Sequence, residues 1–276
     1  MTHPEPALDD AGFTPHATAP VAREDATLLA ATLDVDPDVL DTGELPLPWH
    51  WAVFRPGVPS AGLGADGHPV RRPAMAAFPQ RMWVGGRVRG ARPLRLGVRA
   101  ERTSRLLAAE PKDGSTGRFW LVTVEHTVSQ GGEPCIEEEQ DLVLREASAA
   151  AAPGVDVREP PTADWVEERV ADPVLLFRYS ALTFNAHRIH YDVPYATSVE
   201  GYADLVVQGP LTATLLTDLA RRRIGRPIRA VSFRARVPLF ARRRFWLTGN
   251  PTGDGSADLA AVRADGQVAM TLTATS

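Results

Sequence analysis

The segment Val206-Val207-Gln208-Gly209-Pro210 begins a run of small and apolar residues that predicts a helix. Proline suits the first turn of a helix, where its missing N–H costs no hydrogen bond. Leucines follow at the spacing of one helical face, namely Leu211, Leu215, Leu216 and Leu219. Four stretches typical of strands come next, at Ile228–Val237, Arg244–Thr248, Leu259–Arg263 and Val268–Thr273. One helix followed by an antiparallel meander predicts an α+β fold in which a sheet wraps round the helix.

A polar cluster precedes this helix, within Phe177-Arg-Tyr-Ser-Ala-Leu-Thr-Phe-Asn-Ala-His-Arg-Ile-His-Tyr-Asp192. His190 can take or give a proton near neutral pH. The amide of Asn185 can orient a water molecule or a carbonyl group but cannot act as a base. The N–H of Gly209, at the helix start, points a fixed dipole at any anion or developing enolate. Together they predict a site that adds water to an activated double bond, or removes it.

The other polar residues of the cluster also allow simpler interpretations. His187, three residues before His190, is more simply a structural residue than a second catalyst. A metal site on His187, His190 and Asp192 is a further alternative, since histidine and carboxylate ligands suit zinc or iron. The sequence supplies no convincing further ligand, so we expect neither a metal nor another cofactor.

Composition limits the functional classes. The chain has 276 residues, of which 44% are hydrophobic and 23% charged, and its net charge is −4. An acidic balance argues against nucleic acid as a partner. Cys135 is the one cysteine, so a disulfide framework is excluded. No apolar run approaches membrane-spanning length and the N-terminus lacks a signal-peptide pattern, which together predict a cytoplasmic protein without a membrane partner.

The chain is predicted to contain two modules. Residues 1–22 are expected to be a flexible arm, 23–146 a first module, 147–163 a linker and 164–276 a second module. Both modules end in strands joined by tight turns, which suggests a duplication. The first has no equally clear central helix. Two modules paired within one chain would resemble a dimer, and a homodimer of the whole chain is also possible.

Three features of the first module carry expectations of their own. His50, between two tryptophans, is interpreted as packed and hydrogen-bonded, and the acidic run Glu137–Glu139 as solvated. The irregular stretch 55–80 is long enough to cover a site. The double glycine of Arg81-Met-Trp-Val-Gly-Gly86 predicts a close approach of another backbone.

The central motif resembles the MaoC-like (R)-specific enoyl-thioester hydratase/dehydratase family. The nearest likeness is to its two-module branch, which contains mesaconyl-C4-CoA and itaconyl-CoA hydratases and type 2 3-hydroxyacyl-thioester dehydratases. The matching segments are Phe177–Asp192, Tyr195-Ala196, Gly201-Tyr202 and Leu205–Leu215, with Pro46–Trp51, Leu63–Pro69 and Arg81–Gly86 in the first half. The resemblance implies a double hot-dog fold, with a site between two curved antiparallel sheets and a reduced N-terminal helix.

The resemblance also implies roles for individual residues. His190 corresponds to the catalytic histidine, Asn185 stands where the wider family has aspartate, and Gly209 is the oxyanion donor. Gln208 stands where a histidine often precedes the glycine. The candidates for binding substrate are Arg188, Arg178, Arg81, Arg234, Gln208 and Trp83. The arginines are included because a dicarboxylic acyl chain would need a cation.

The resulting hypothesis is a cofactor-free hydro-lyase acting on an acyl-CoA thioester, with itaconyl- or mesaconyl-C4-CoA giving citramalyl-CoA as its leading form. One alternative is a dehydratase for 3-hydroxyacyl chains on an acyl carrier protein, which the arginine runs Arg221–Arg223 and Arg242–Arg244 leave open. The other alternative is a non-catalytic module that binds acyl thioesters.

Overall fold

The computed structural model describes residues 5–114, 117–146, 154 and 159–276. In the first half the elements are β1 (His16–Pro20), α1 (Arg23–Leu33), β2 (Glu44–Leu45), β3 (Gln80–Gly90), β4 (Leu94–Arg95), β5 (Arg99–Gly114), β6 (Gly117–Gln130) and β7 (Glu133–Arg145). In the second half they are β8 (Trp165–Val170), α2 (Pro173–Thr183), α3 (Val193–Ser198), α4 (Gly209–Ile224), β9 (Ala230–Ala235), β10 (Arg244–Gly253), β11 (Ser256–Arg263) and β12 (Val268–Thr275). Single 3-10 turns lie at Pro37–Leu40, Trp49–Ala52, Ser60–Gly62, Pro73–Met75 and Arg188–His190.

The long strands form one ten-stranded antiparallel sheet in the order β1-β5-β6-β7-β3-β9-β12-β11-β10-β8. Each half contributes five strands, and both halves connect them in the same chain order. The halves meet where β3 pairs with β9, from Gly85 opposite Arg234 to Arg89 opposite Ala230. The predicted α+β double hot-dog fold is confirmed. The predicted linker 147–163 lies mostly outside the described residues, and the module boundaries stay a prediction.

The helix α4 forms as its sequence predicts. Pro210 is its second residue, and Gly225 ends it in the left-handed conformation with its N–H donated to the Arg221 carbonyl over 2.9 Å. The four leucines of its predicted face are buried, and the helix packs against β9, β10, β11 and β12. Arg221–Arg223 lie in its last turn, where positive charge interacts favourably with the helix dipole.

The first half has no counterpart of α4, as expected. Between α1 and β3 the described chain has only 3-10 turns and the short β2. One turn buries His50, whose Nε2 lies 2.8 Å from a carboxylate oxygen of Glu138, while the Trp51 indole N–H donates to the other oxygen over 2.7 Å. The packed, hydrogen-bonded interpretation of His50 is confirmed. Glu138 corrects the expected solvated run, because its side chain points inward between outward-facing neighbours.

The N-terminal segment differs from the predicted flexible arm. β1 pairs with β5 from His16 opposite Thr103, and Ala11 is buried. Asp10 is also buried, and it accepts a hydrogen bond from Nε of Arg72 over 2.9 Å. This long-range ion pair anchors a segment whose own composition predicts no structure. No helix in the described ranges is long and apolar enough to span a membrane.

Candidate active site

A cavity of about 700 Å³ lies between the two halves. The second half contributes the end of α2, the loop that follows it, the start of α4 and the end of β9. The first half contributes residues 11–13, part of the loop 56–69 and residues 81–84 of β3. The predicted site loop, the irregular stretch and the supposed arm therefore meet at one place.

His190 lies on the cavity wall, in the 3-10 turn Arg188–His190. Its Nδ1 lies 2.7 Å from the carbonyl oxygen of Val206. A carbonyl oxygen can only accept, so Nδ1 carries the proton and Nε2 keeps its lone pair. Burial lowers the pKa of His190 to about 4, although the bond to Val206 acts in the opposite direction. The imidazole is therefore a neutral base near neutral pH.

Gly209 is the first residue of α4, where the N–H has no intrahelical acceptor. It lines the cavity, and the indole ring of Trp83 packs against it. A Cβ at Gly209 would lie 2.6 Å from Cε3 of Trp83, which no ordinary contact allows. Trp83 is itself stacked on Phe233, with ring centroids 4.5 Å apart. The glycine therefore leaves room for the indole while its N–H remains available to an anion.

Asn185 follows α2, which ends at Phe184 in the left-handed conformation with φ of 53°. Its Oδ1 accepts the backbone N–H of His187 over 3.1 Å. This fixes the amide orientation, because the oxygen must face that N–H. Its Nδ2 has no partner among the described residues, and the residue lines the cavity. Nδ2 is thus a donor available to a bound water molecule.

Gln208 lies on the cavity wall but its amide is turned toward α2. Nε2 donates to the carbonyl of Leu176 over 3.0 Å and to Oγ of Ser180 over 2.9 Å. The residue is only 1% exposed. It fixes the start of α4 against α2 and so acts on the position of Gly209, whereas the sequence had made it a candidate for binding substrate.

Two further histidines line the cavity. The His187 ring lies 5.4 Å from that of His190 and 4.0 Å from that of His68, measured between centroids. Burial lowers the pKa of His68 and of His187 well below the usual range; the charge of Arg81 adds to this at His68, and the charge of His68 adds to it at His187. His68 belongs to the Leu63–Pro69 segment, but no role was predicted for it from the sequence. The turn Asp66-Gly67-His68 is the sequence feature that could have indicated a position on the cavity wall.

A candidate metal cluster differs from the one considered from the sequence. Asp66, His68 and His187 bring potential ligand atoms within 4.8 Å of one another. Asp192 is instead paired with Arg188 and caps α3. Arg71 lies 3.7 Å from Asp66, and the charge of Arg81 acts on His68. Two nearby cations oppose the binding of a third.

The four candidate arginines differ in whether they line the cavity. Arg81 lines the cavity, whereas Arg188, Arg178 and Arg234 do not. Arg188 is committed elsewhere, because it binds Asp192 and donates to the carbonyl of Ala65 over 3.0 Å. Arg178 is exposed on α2, and Arg234 is exposed on β9 next to inward-facing Phe233.

The sequence missed three features of the cavity wall. Arg236 lines the cavity and is exposed. Phe177 and Phe184 belong to the motif 177–192, but no role was predicted for them. They also line the cavity, although they are 64% and 56% exposed. These exposed residues lie where the cavity meets the solvent, and an exposed cation there suits a ligand with an anionic end.

Solved structures share this architecture. HtdX of Mycobacterium tuberculosis superimposes with a TM-score of 0.70 at 17% identity, covering 95% of this chain and 99% of that one. A MaoC-like dehydratase of Phytophthora capsici gives a TM-score of 0.69 at 16% identity, covering 98% of each chain. These likenesses support the double hot-dog fold.

Relatives in sequence define the activity class. The profile of the hydroxyacyl-thioester dehydratase type 2 family matches residues 48–241. The chain is 44% identical to the mesaconyl-C(4)-CoA hydratase of Chloroflexus aurantiacus over 267 residues, or 95% of each protein. It is 27% identical to the mitochondrial hydroxyacyl-thioester dehydratase type 2 of Schizosaccharomyces pombe, covering 75% of this chain and 78% of that one.

The chain belongs to the hydroxyacyl-thioester dehydratase type 2 family. The resemblance to MaoC-like hydratases and dehydratases is thereby confirmed. The protein is a hydro-lyase that acts on acyl thioesters.

Proposed function

We propose that this protein adds water to the double bond of mesaconyl-C4-CoA or itaconyl-CoA to give citramalyl-CoA, or catalyses the reverse. The observation that carries the proposal is that His190, with an unprotonated Nε2, and the N-terminus of α4 at Gly209 face one cavity. The acyl chain is inferred from the 44% identity to a mesaconyl-C(4)-CoA hydratase over nearly the whole chain.

The reaction on mesaconyl-C4-CoA begins with a water molecule that donates to Nε2 of His190 and accepts from Nδ2 of Asn185. Nε2 takes a proton from the water as its oxygen bonds to the β-carbon. The electron pair of the double bond moves to the thioester as an enolate, whose oxygen accepts the N–H of Gly209. The imidazolium then gives its proton to the α-carbon, which restores neutral His190 and completes the addition.

The low pKa of His190 suits the second proton transfer. An imidazolium whose pKa is about 4 is a stronger acid than an ordinary one, so it readily protonates the enolate carbon. The low pKa of His190 has a cost in the first step, because a weak base removes a proton from water slowly. Attack at the β-carbon offsets that cost by developing charge that the Gly209 N–H stabilises. Asn185 orients the water and takes no part in proton transfer.

The carrier-protein alternative receives less support. The run Arg221–Arg223 is engaged within the protein, since Arg222 forms ion pairs with Glu167 and Asp218. Arg242 likewise pairs with Asp204. These surfaces resemble internal ion-pair networks more than a free basic docking patch. The non-catalytic alternative loses its ground with the family membership.

Mass-spectrometric turnover of four thioesters tests the proposal: mesaconyl-C4-CoA, itaconyl-CoA, crotonyl-CoA and a medium-chain 3-hydroxyacyl-CoA. We expect a gain of water on one of the first two. His190→Gln removes the base and should lower that turnover by about 10²- to 10⁴-fold. His16→Gln is the matched control, because His16 is exposed on β1 far along the sheet.

Two results would contradict the proposal. Turnover of the 3-hydroxyacyl-CoA with neither dicarboxylic ester changed would assign the protein to fatty-acyl chains. Unchanged turnover in His190→Gln would remove His190 from the mechanism. If all four CoA esters are silent, acyl-carrier conjugates of the same chains distinguish the carrier-protein reaction.

A further inference from the structure

We propose that Arg81, held in place by the N-terminal segment 5–13, binds the free carboxylate of the acyl chain and so selects dicarboxylic over fatty-acyl thioesters. The inference rests on the proposed function, and it assigns the selectivity to one guanidinium and one supporting segment. Its basis is the position of Arg81 in the cavity, its hydrogen bonds and the charges around it.

Arg81 precedes Trp83 by two residues on β3, so both side chains lie on the face of the strand that lines the cavity. Trp83 packs on Gly209, where the thioester oxygen is proposed to bind. The charge of Arg81 also acts on His68, which lies beside His187 and through it near His190. The guanidinium therefore acts on the part of the cavity that holds His68 and His187.

The charge of Arg81 is not neutralised by the described side chains. Its Nη1 donates to the carbonyl oxygen of Ala11 over 2.9 Å, and no carboxylate among the described residues forms an ion pair with it. Asp66 attracts it only over a longer distance and is already paired with Arg71. The nearby Arg72 is likewise paired with Asp10. Arg81 is half-buried, so its charge is partly removed from water without an acidic partner, and an anionic ligand would offset that cost.

Burial lowers the pKa of Arg81 to about 10, and the charge of Arg71 contributes to this. The group stays protonated near neutral pH. A carboxylate would satisfy its remaining N–H donors in the planar geometry that guanidinium and carboxylate share. A hydrocarbon chain at the same place would leave the cation both buried and unpaired.

The segment 5–13 fits closely around this guanidinium. Gly12 has a φ of +85°, and a Cβ there would lie 2.0 Å from Nη1 of Arg81. The backbone can therefore approach Arg81 and present the Ala11 carbonyl only because residue 12 has no side chain. The pairing of Asp10 with Arg72 fixes the segment in that position. The segment thereby lines the cavity beside Arg81.

The chemistry of the proposed substrate agrees with this placement. In mesaconyl-C4-CoA the free carboxylate is attached to the β-carbon, the atom that receives the water. The carboxylate must then lie within one bond length of the carbon addressed by His190. Of the two arginines that line the described cavity, Arg81 is half-buried, whereas Arg236 is exposed.

Binding of two unreactive thioesters tests the inference without depending on turnover. Methylsuccinyl-C4-CoA keeps the free carboxylate, and isovaleryl-CoA replaces it with a methyl group while keeping the rest of the chain. We expect the wild-type protein to bind the first about 100-fold more tightly in isothermal titration calorimetry, as for a buried charge pair. Arg81→Gln should weaken the first alone and bring the two dissociation constants within about threefold.

Two further variants separate recognition from general damage. Gly12→Ala leaves the guanidinium in the chain but displaces it, so it should reduce the preference without abolishing isovaleryl-CoA binding. Arg89→Gln makes the same substitution at the exposed end of β3 and should leave both constants unchanged. The melting temperature of each variant is measured alongside, to show that it is folded.

The outcomes are distinct. The inference is overturned if the wild type has no preference, if Arg81→Gln keeps it, or if Arg81→Gln weakens both thioesters equally. If the preference depends on Arg81 but mesaconyl-C4-CoA and itaconyl-CoA are not hydrated, the carboxylate subsite stands and the proposed reaction falls. If they are hydrated without any role for Arg81, the reaction stands and the inference falls.

Discussion

The pH dependence of turnover follows from the buried position of His190. Burial lowers its folded-state pKa to about 4, against 6.5 for an unperturbed imidazole. Protonation removes the lone pair of Nε2, so kcat/KM should fall as pH falls through the folded-state value and stay level above it. Because the folded-state pKa is depressed, the pH range in which the enzyme is active extends toward lower pH.

The difference in kcat/KM between a base whose pKa is about 4 and an unperturbed histidine is largest between pH 5 and 6. At pH 5.5 a histidine whose pKa is about 4 is ~97% neutral, whereas one at 6.5 is only ~9% neutral. The structure therefore predicts less than a 10% loss of kcat/KM between pH 7.5 and 5.5, where an unperturbed base would lose about tenfold.

The assay follows the disappearance of the conjugated enoyl thioester by absorbance, from pH 4 to 8 at constant ionic strength. 3-Methylcrotonyl-CoA or crotonyl-CoA serves as a slower parallel substrate at high enzyme concentration, because neither carries a free carboxylate that titrates in this range. Enzyme held at each acidic pH and returned to pH 7.5 must recover its full rate, which excludes unfolding. A half-loss of kcat/KM near pH 6.5 on both kinds of substrate would refute the reasoning.

Two substitutions extend these arguments to the supports of the site. Gly209→Ala places a Cβ 2.6 Å from Cε3 of Trp83, so either the indole or the helix start must move. We expect kcat to fall by about 100-fold, as for the loss of one oxyanion donor. Steady-state kinetics measure this, and Gly253→Ala, where a Cβ would meet nothing, should retain the wild-type rate. Glu138→Gln breaks a buried pair with His50, so the free energy of unfolding in urea should fall by about 3 kcal/mol. Exposed Glu137→Gln should change it by less than about 0.5 kcal/mol, and equal effects of the two would refute the burial argument.

The reason for the Glu138 prediction lies in its environment. Burial raises the pKa of this carboxyl, but the attraction and hydrogen bond of His50 outweigh burial and hold it at about 2. The ionised group also accepts the Trp51 indole N–H, and Trp51 packs edge-on against Trp83 with ring centroids 5.5 Å apart. Loss of the charge should therefore loosen the packing behind Gly209 as well as destabilise the fold.

Local sequence signals predicted the second half well. The leucine spacing of α4, Pro210 at its start and Gly225 at its end are properties of neighbouring residues, and so is the alternation that marks the strands. His190 and Asn185, both within the motif 177–192, line the same cavity, and their roles stay a prediction. The close approach expected at the double glycine is present, since a Cβ at Gly86 would lie 2.4 Å from the Glu139 carbonyl oxygen.

Long-range pairings account for what the sequence could not predict. The segment 5–13 is ordered by Asp10 with Arg72, two residues separated by 62 positions. Glu138 is buried because His50 lies opposite, although both its neighbours are glutamates that favour a solvated interpretation. Which of the candidate arginines could bind a substrate carboxylate depends on whether an acidic side chain already pairs with it. Arg188, for example, is paired with Asp192. These facts depend on tertiary contacts that no local pattern encodes.

The two halves share a strand order but not a helix, and this difference explains where the site lies. In the second half α4 fills the curve of its own strands and offers Gly209. In the first half the residues between α1 and β3 form turns and loop, and part of that chain crosses to the other half. Gly67 packs so closely on the loop after α2 that a Cβ would lie 1.8 Å from the Ala186 carbonyl oxygen, and the Asp66 carbonyl accepts the N–H of Arg188 over 2.9 Å. A helix between α1 and β3 would have used this chain for packing. The described residues there form no such helix, so the chain is available to form part of the cavity wall.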